Sequence, residues 1–396
     1  MNLEANYGGL KLKNPMIVAS ATPTTNLEGL KKSVDCGAGA FVTKSIIFPK
    51  AYYNGMAGYK PGDPCAVDPR PRFHICNKDI EFDPALHARG AYYSMFNMIE
   101  SYPRPEEWAD VMETIKAYCD IPVIVSICAA EHDYDEWQKI AKVVENMGAD
   151  AIELSGHHMP YTAATDPLIV KAVKEAVKVP VIAKPMFPPE DPVKIAKALA
   201  EMGADGITAI GNQSIKGMEV DVESESIVMQ PTHYTVRGPW WRPVGLNWIT
   251  QMSRTVDLPL SGVTGIANWR DVVKYILCGA STTQVCTALY VDGYEAITKM
   301  LKGLEKWMAA HNYNSLDDFR GKVSKQWVSP VTIPYNTPVG AKVEDDCIGC
   351  GICTKTCFFD AITVEDKKVY IDPGKCEGCG VCVSVCPSKA VSFGPF

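Results

Sequence analysis

Several features are absent from this chain of 396 residues, and each absence excludes a class of protein. No apolar run reaches the roughly 18 residues of a membrane-spanning helix. The formal net charge is −7, whereas a nucleic-acid or acidic-membrane partner would favour a basic surface. The first residues, MNLEAN, have neither the basic start nor the apolar core of a signal peptide. We therefore expect a soluble cytoplasmic protein that binds neither nucleic acid nor membrane.

Two further signatures are missing. No G-x-G-x-x-G follows a predicted strand, so this chain is not expected to bind a nicotinamide cofactor itself. Five of the 7 histidines show no spacing that is typical of metal ligands. These five are His74, His87, His132, His233 and His311.

Cysteine, in contrast, is abundant, and eight of the 15 cysteines form two runs of one spacing, C-x2-C-x2-C-x3-C. This spacing binds [4Fe–4S] clusters, and in two-cluster proteins the fourth cysteine of each run ligates the other cluster. Zinc would leave four of these ligands unexplained, and disulfides do not require triplets. The chain is therefore expected to transfer single electrons in a reducing compartment. One predicted site is Cys347, Cys350, Cys353 and Cys386, and the other is Cys376, Cys379, Cys382 and Cys357.

Eight short apolar runs precede the cysteine-rich region, each following either a Gly-Ala break or a proline. Helical patterns lie between them, for example over residues 136–147. Strands that alternate with helices indicate βαβ units, and eight units close a (β/α)8 TIM barrel. An open doubly wound sheet, the alternative, would not produce eight such repeats. In chain order the runs are MIVAS, FVTK, VIVSI, AIELS, VIAK, GITAI, LSGVTG and TTQVCT.

The domain organisation follows from these two patterns. We assign residues 1–310 to the barrel, 311–340 to a linker and 341–396 to an α+β ferredoxin-like domain. Residues 3–12 predict a hairpin around Gly8-Gly9 that closes the lower end of the barrel. About 75 residues separate the second and third strands, a length typical of a functional lid or wall, and they include the strand-like segment 92–97.

Polar residues end the predicted strands, and the active sites of TIM barrels lie at this end. Two of them, Lys44 and Lys184, would be costly to bury without an anionic partner. Structural ion pairs are the alternative explanation of these lysines. The full set is Ser20, Lys44, Ser126, Ser155, Lys184, Asn212, Thr264 and Thr287.

The ends of the seventh and eighth strands are the usual phosphate-binding position of such barrels. Here Thr264 and Thr287 are accompanied by Gly262, Gly265 and Gly279, which leave backbone amides free for a phosphate. Flavin mononucleotide (FMN) has both a phosphate and a ring that becomes negative on reduction. FMN is therefore the predicted ligand of the barrel.

Together these residues resemble the FMN barrel of the dihydroorotate and dihydropyrimidine dehydrogenase superfamily. With two cluster motifs following, the chain is similar, from about residue 3 onward, to the pyrimidine-reducing part of dihydropyrimidine dehydrogenases. The segments that carry the resemblance are NPMIVASATPT, GAGAFVTKS, FNMIE, PVIVSI, GADAIELS, VPVIAKP, GADGITAI and GASTTQVCTAL. The resemblance implies FMN contacts from Ala19, Ser20, Lys44, Asn97, Ser155, Lys184, Thr208, Gly262, Thr264, Gly265, Cys286 and Thr287. It also implies that Asn97 faces both flavin and substrate. The other predicted substrate contacts, His157, His158, Asn212 and Arg237, come from residues of this sequence and not from the family pattern.

The sequence departs from this family where the substrate binds. The family's loop E-L-N-L-S-C-P carries a cysteine acid, whereas residues 153–160 read ELSGHHMP. Histidine suits a proton donor near neutral pH, so His158, by alignment, or His157 is predicted to replace that acid, with Tyr161 a weaker candidate. The family's substrate-facing Asn-Thr pair is replaced by Gly211-Asn212, and a pyrimidine is therefore not the favoured substrate.

Three other residues near the predicted mouth remain open in their roles. Arg237 binds either a substrate carboxylate or the FMN phosphate. Trp240 and Trp241 either form the wall of an aromatic substrate site or cover the barrel mouth.

The resulting prediction is an iron–sulfur flavoprotein that reduces a conjugated C=C bond of a small cyclic or aromatic compound by hydride from FMN N5. Electrons would come from the two [4Fe–4S] clusters. Because no nicotinamide site is present, the donor would be a ferredoxin or a separate NAD(P)H-oxidising flavoprotein subunit, in a homodimer or hetero-oligomer. The alternatives are a dihydropyrimidine or dihydroorotate type of dehydrogenase and an electron-transfer subunit without its own substrate.

Overall fold

The structure, a computed structural model, divides into two compact units, Met1–Trp327 and Val328–Phe396. Residues 311–327, which we assigned to the linker, belong to the first unit, because Leu316 and Phe319 are buried in its core. Among the described helices, none is long and apolar enough to cross a membrane. The described residues are 1–47, 73–76, 82–83, 88–89, 93–96, 105–129, 133–155, 166–186, 191–211, 220–227, 235–327 and 339–395.

The predicted TIM barrel is confirmed in the first unit. Eight parallel strands pair in chain order, and the sheet closes where Thr283 of the last strand pairs with Met16 of the first. A short strand, Ile46–Ile47, also pairs with the end of the third. Barrel strands 1 to 8 are Met16–Val18, Ala40–Val42, Val123–Cys128, Ala151–Ser155, Val181–Lys184, Gly206–Ala209, Leu260–Val263 and Thr282–Val285.

Helices follow the strands, and several begin at capping residues that the sequence provides. The side chains of Asp133, Asp166 and Asp191 each accept a hydrogen bond from a backbone N–H in the first turn. Proline occupies an early helical position after the last two. The helices are Leu27–Asp35, Pro105–Tyr118, Tyr134–Asn146, Pro167–Ala176, Pro192–Glu201, Arg242–Ser253, Trp269–Leu277, Thr287–Asp292 and Glu295–Ala310. Single 3-10 turns are Thr22–Thr24, Pro239–Trp241, Leu316–Asp318 and Ser324–Gln326.

The interior of the barrel changes from apolar to polar along its strands. The predicted N-terminal hairpin, Ala5–Tyr7 paired with Leu10–Leu12, packs into the apolar end. Because side chains of a strand alternate between its two faces, the next inward position lies two residues further on. The apolar layer is Tyr7, Leu12, Ile17, Ala40, Val42, Ile124, Ala151 and Ile182. The polar layer that follows includes Lys44, Ser126, Glu153, Lys184 and Thr208, all of them buried.

Further strands lie outside the barrel. Phe73–Cys76, Tyr93–Phe96 and Thr235–Arg237 form a three-stranded antiparallel sheet, so a strand does lie within the predicted segment 92–97. This sheet joins the long segment after barrel strand 2 to the segment after barrel strand 6, and it ends at Arg237. Two short hairpins are Phe82–Asp83 with Ala88–Arg89 and Val220–Asp221 with Ser226–Ile227.

The second unit has the predicted α+β, ferredoxin-like character. Val339–Val343 pairs with Val391–Pro395, and Ile362–Glu365 pairs with Lys368–Ile371, both antiparallel. The short helices Ile352–Lys355 and Val381–Val385 each follow a glycine with left-handed backbone. Its core contains Ala341, Cys353, Ile362, Cys382 and Val391.

Candidate active site

A cleft lies at the C-terminal ends of the barrel strands, where the sequence predicted a site. The cleft opens to solvent at this end of the barrel. The cleft brings together residues from five barrel strands and from the segment that begins at Arg237. The predicted residues that line it are Ala19, Ser20, Lys184, Arg237, Thr264, Gly265, Cys286 and Thr287. Gly211, which replaces part of the family's substrate-facing pair, and Gly238 line it as well. The lining residues that sequence reasoning missed are Met186, Pro239, Val263, Ile266 and Gln284.

Four other predicted residues lie elsewhere in the barrel. Lys44, Ser155 and Thr208 are fully buried, and Thr208 bonds to a carboxylate deeper in the barrel. Gly262 faces the outer helix, because a Cβ there would fall 2.3 Å from the ring of Tyr275. This glycine therefore makes room for a helix side chain. Asn97, His157, His158, Tyr161 and Asn212 lie outside the described residues, and their roles stay predictions.

The loop after barrel strand 7 has the backbone of an anion cradle. Thr264 and Gly265 both have positive φ, +88° and +73°, and tight turns of backbone are a common source of amides that bind anions. A Cβ on Gly265 would lie 2.6 Å from the backbone nitrogen of Arg242, so only glycine fits. This turn lines the cleft where the sequence predicted a phosphate, and that role stays a prediction.

The helix Trp269–Leu277 holds this cradle in shape. The hydroxyl of Tyr275 lies 2.7 Å from the carbonyl oxygen of Thr264 and 2.9 Å from that of Val263. Asp271, which is buried, accepts hydrogen bonds from the backbone nitrogens of Ala267 and Asn268. The cradle is therefore fixed before any ligand binds.

Three basic side chains converge beside the cleft. Lys184 and Arg237 line it and are each 7% exposed, and Lys44 is fully buried. Burial lowers the pKa of Lys44 to about 7, and the positive charge of Arg237 and then that of Lys184 act in the same direction. An anion bound here would raise the pKa of Lys44 again, because a nearby negative charge favours the protonated lysine. The arrangement is suited to a ligand with negative charge.

Lys184 combines both roles that the sequence left open. Its ammonium forms a buried ion pair with Glu153, with 3.0 Å between Nζ and Oε1, yet it also lines the cleft. Gln284 bonds to both partners and lines the cleft as well. Sequence reasoning missed Glu153 and Gln284, although both occupy inward positions of strands that it had identified. A charged residue inside an otherwise apolar strand was the signal available.

The two tryptophans have different surroundings. Trp241 is only 1% exposed, whereas Trp240 is 42% exposed, and their ring centroids are 4.9 Å apart. Trp241 belongs to the packing beneath the mouth. Of the pair, Trp240 has the surface that could contact a substrate.

In the second unit the cysteines group as triplets. Cys353 lies near Cys350 and Cys347, and Cys382 lies near Cys376 and Cys379. A small pocket is lined by Cys376, Cys379 and Cys382 together with Cys357 from the other run. Cys386 packs against the same small core. The described cysteines, in both units, are all free thiols.

Glycine allows the cysteine turns to form. Gly349 has φ +65°, and a Cβ there would lie 2.2 Å from the carbonyl oxygen of Lys367. The backbone at Lys367, in the turn between strands Ile362–Glu365 and Lys368–Ile371, is thus in contact with the backbone of the first cysteine run. A side chain at this position would separate them.

Comparison with known proteins agrees with both halves of this description. A family model described as "Dihydroorotate dehydrogenase" matches residues 69–308, more than half of the chain. The chain belongs to the dihydroorotate dehydrogenase family. A second family model, "4Fe-4S dicluster domain", matches residues 346–390.

Three relatives show how far the similarity extends along the chain. The chain is 29% identical over 334 residues to "Dihydroorotate dehydrogenase B (NAD(+)), catalytic subunit" of Pyrococcus abyssi, covering 82% of this chain and 99% of the relative. It is 31% identical over 301 residues to the protein of that name from Methanocella arvoryzae, covering 74% and 88%. It is 27% identical over 376 residues to "NAD-dependent dihydropyrimidine dehydrogenase subunit PreA" of Escherichia coli K12, covering 90% and 85%.

Membership of this family identifies the kind of enzyme and its cofactors. The chain is a flavin-dependent oxidoreductase that acts on CH–CH groups. Its cofactors are FMN and two [4Fe–4S] clusters. The cleft fits FMN by its preformed anion cradle and basic side chains, and the second unit fits two clusters by its eight cysteines.

Proposed function

We propose that the first unit binds FMN in its cleft and reduces a conjugated C=C bond of a small cyclic or aromatic compound, with electrons that arrive through the two clusters of the second unit. The observation that carries the proposal is the cleft itself, where a phosphate-sized cradle and three basic side chains meet in a chain that also has two cluster motifs. Bound FMN supplies the exchange between single electrons and a two-electron transfer.

The chain's own residues would divide the work as follows. The cradle at Thr264 and Gly265, with Cys286 and Thr287 after the neighbouring barrel strand, would hold the phosphate. Lys184 and Lys44 would bind the ring where it becomes negative on reduction, because a protonated lysine favours that charge. These assignments predict that replacing either lysine weakens the binding of reduced FMN more than the binding of oxidised FMN.

On the substrate side, a proton must reach the carbon that does not receive the hydride. His158, or His157 beside it, is the proposed donor, since histidine has a pKa near the working pH. Arg237 would bind a negative group of the substrate or the FMN phosphate, and Asn97 and Asn212 would bind polar groups of the substrate. Trp240 offers an aromatic surface at the same mouth.

The names of the relatives favour a second candidate, a dihydropyrimidine or dihydroorotate dehydrogenase. Against it stands the loop of residues 153–160, which has no cysteine and two histidines. A change of acid together with the loss of an amide side chain at Ser155 favours another unsaturated compound. The test below includes uracil and orotate for this reason.

The electron donor would be a separate protein. The relatives are named as subunits, and in this chain no strand-linked nicotinamide motif is present. We propose a ferredoxin or an NAD(P)H-oxidising flavoprotein subunit, in the reducing cytoplasm, with the chain in a homodimer or hetero-oligomer.

The test begins with protein purified without oxygen. We expect about eight irons and one FMN per chain, with no bleaching by NADH or NADPH and full bleaching by dithionite. The reduced protein is then mixed with a panel of unsaturated compounds, including uracil, orotate, enones and activated aromatics, and FMN reoxidation is followed. Reoxidation by none of them, with FMN and iron present, would favour an electron-transfer subunit. Rapid bleaching by NADH alone would contradict the need for a donor.

A further inference from the structure

A single carboxylate lies at the centre of the polar layer of the barrel. Glu153 is fully buried and accepts three hydrogen bonds. They come from Lys184 Nζ at 3.0 Å, Thr208 Oγ1 at 2.9 Å and Gln284 Nε2 at 2.8 Å. A buried charge is tolerated when it is paired and fully bonded, and Glu153 meets both conditions.

The proton positions in this network follow from its geometry. Thr208 has one hydroxyl proton, and Glu153 as a carboxylate can only accept, so that proton points to Glu153. The hydroxyl of Tyr7, 2.6 Å from Thr208 Oγ1, must then donate to Thr208. Burial and the negative charge of Glu153 raise the pKa of Tyr7, which keeps this proton in place. The N-terminal hairpin therefore helps to fix the hydroxyl that binds Glu153.

Lys184 connects this network to the cleft. Its ammonium has three N–H groups, and two of them donate, to Glu153 Oε1 and to Gln284 Oε1 at 3.3 Å. Within the described part of the chain no residue accepts the third. Because Lys184 also lines the cleft, the remaining N–H is available to a ligand there.

We propose that Glu153 is a positioning residue that aims the ammonium of Lys184 into the cleft and offsets its charge, and that it thereby sets how much more tightly the site binds reduced than oxidised FMN. This inference rests on the proposed FMN site. Gln284 completes the arrangement, since its side chain forms a hydrogen bond with each of the two charged groups.

The proposal predicts a direction. Replacing the carboxylate by an amide of the same shape removes a negative charge beside Lys184, so the site becomes more positive and favours the reduced, anionic ring. Over the distances of a small site the effect of one charge is on the order of tenfold in the ratio of the two affinities. For a two-electron couple, tenfold corresponds to a rise of about 30 mV in the FMN midpoint potential.

The experiment compares three variants of the whole holoprotein by spectroelectrochemical titration at one pH. Glu153→Gln should raise the FMN midpoint potential by about 30 mV. The double variant Glu153→Gln with Gln284→Glu exchanges carboxylate and amide, and it should restore the potential of the unmodified protein, because a carboxylate again contacts Lys184. Lys184→Met should lower the potential.

The outcomes separate the inference from the proposed site. If Lys184→Met leaves the potential unchanged, FMN does not bind beside Lys184 and the proposed site is wrong. If Lys184→Met shifts it but Glu153→Gln does not, or if the double variant fails to reverse the shift, Glu153 has only a packing role and the inference is wrong. If Glu153→Gln loses its FMN, a double variant that retains FMN at the normal potential supports the inference, and one that also loses it overturns it.

Discussion

The two units of this chain build their sites in opposite ways. In the second unit all predicted cluster ligands lie between Cys347 and Cys386, spaced as the clusters require. In the first unit the residues that line the cleft come from positions between Ala19 and Thr287, so residues that are close in the site are far apart in the sequence. A site encoded in local spacing can be identified from the sequence, whereas a site assembled from strand ends depends on how the barrel closes.

The units nevertheless share one backbone device. Gly349 and Gly265 both have positive φ, and at both positions a Cβ would collide with backbone, 2.2 Å from Lys367 O and 2.6 Å from Arg242 N. In each unit a turn that is predicted to hold a cofactor is in close contact with the backbone of a neighbouring segment. Close approach of two backbones is thus common to the local and to the distributed site.

The largest effect should come from removing the cluster ligand that lies farthest along the chain from the other ligands of its cluster. Cys386→Ser should remove the cluster of the first run, Cys347 to Cys353, because its fourth ligand lies in the other run. We expect about four irons per chain instead of about eight, with FMN retained, as measured by iron analysis and electron paramagnetic resonance. Cys36→Ser, which changes a cysteine of the barrel, is the control and should keep all irons. Loss of only the second-run cluster would show that ligation is local after all.

The next largest effect tests the loop that the sequence singled out in the barrel. His158→Leu should slow substrate reduction by about 10² to 10⁴-fold, the usual contribution of a positioned general acid. FMN content and reduction of FMN through the clusters should stay normal, which single-turnover measurements can separate from turnover. His157→Leu is the matched control and should do less. Normal turnover in the double variant would move the proton donor to another group.

A smaller effect concerns the basic side chains of the cleft. In the free protein Lys44 loses its proton as the pH rises through about 7, and a bound anion would raise that pKa. Because Lys44 is assigned to the ring that is negative when reduced, the affinity for reduced FMN should be highest below pH 7 and fall above it, by up to about tenfold per pH unit until the pKa of the bound state is reached. The groups that act on Lys44 include Arg237, Cys286, Lys184 and Cys128.

Anaerobic titration of the protein with reduced FMN between pH 6 and pH 9, followed by absorbance, would check this dependence. Lys44→Met should lower the affinity at pH 6 and flatten the profile. The phosphate itself ionises near pH 6, but it does so in both proteins and cancels in the comparison. Lys32→Met, at an exposed ion pair with Glu28, should leave the profile unchanged. A profile that Lys44→Met does not alter would place Lys44 away from the anion.

The smallest effect concerns two glycines of positive φ, of which only one is in close contact with a neighbouring backbone. Gly265→Ala and Gly9→Ala both place a side chain at positive φ, +73° and +80°, which costs about 1–3 kcal/mol. Only the first also meets backbone, since no atom lies within 4 Å of a Cβ at Gly9. Both variants should melt at lower temperature, and Gly265→Ala alone should lose FMN. Equal FMN content in the two would remove Gly265 from the cradle.

Much of the fold could be predicted from the sequence because its signals are local. Eight apolar runs set off by Gly-Ala breaks and prolines correspond to the eight barrel strands, and the doubled cysteine spacing corresponds to a dicluster domain. The hairpin at Gly8-Gly9 followed from turn chemistry alone. The strand-end positions of Lys44 and Lys184 also predicted that both would be buried, as they are.

The tertiary structure decided which inward side chains meet. Lys184 and Gln284 are 100 residues apart and Tyr7 and Thr208 are 201 apart, yet each pair is in contact. It also separated Gly265, in the cradle, from Gly262, which faces a helix, and the exposed Trp240 from the buried Trp241. Spacing within one segment cannot carry such information, because contacts across a barrel depend on the stagger of all eight strands around its axis.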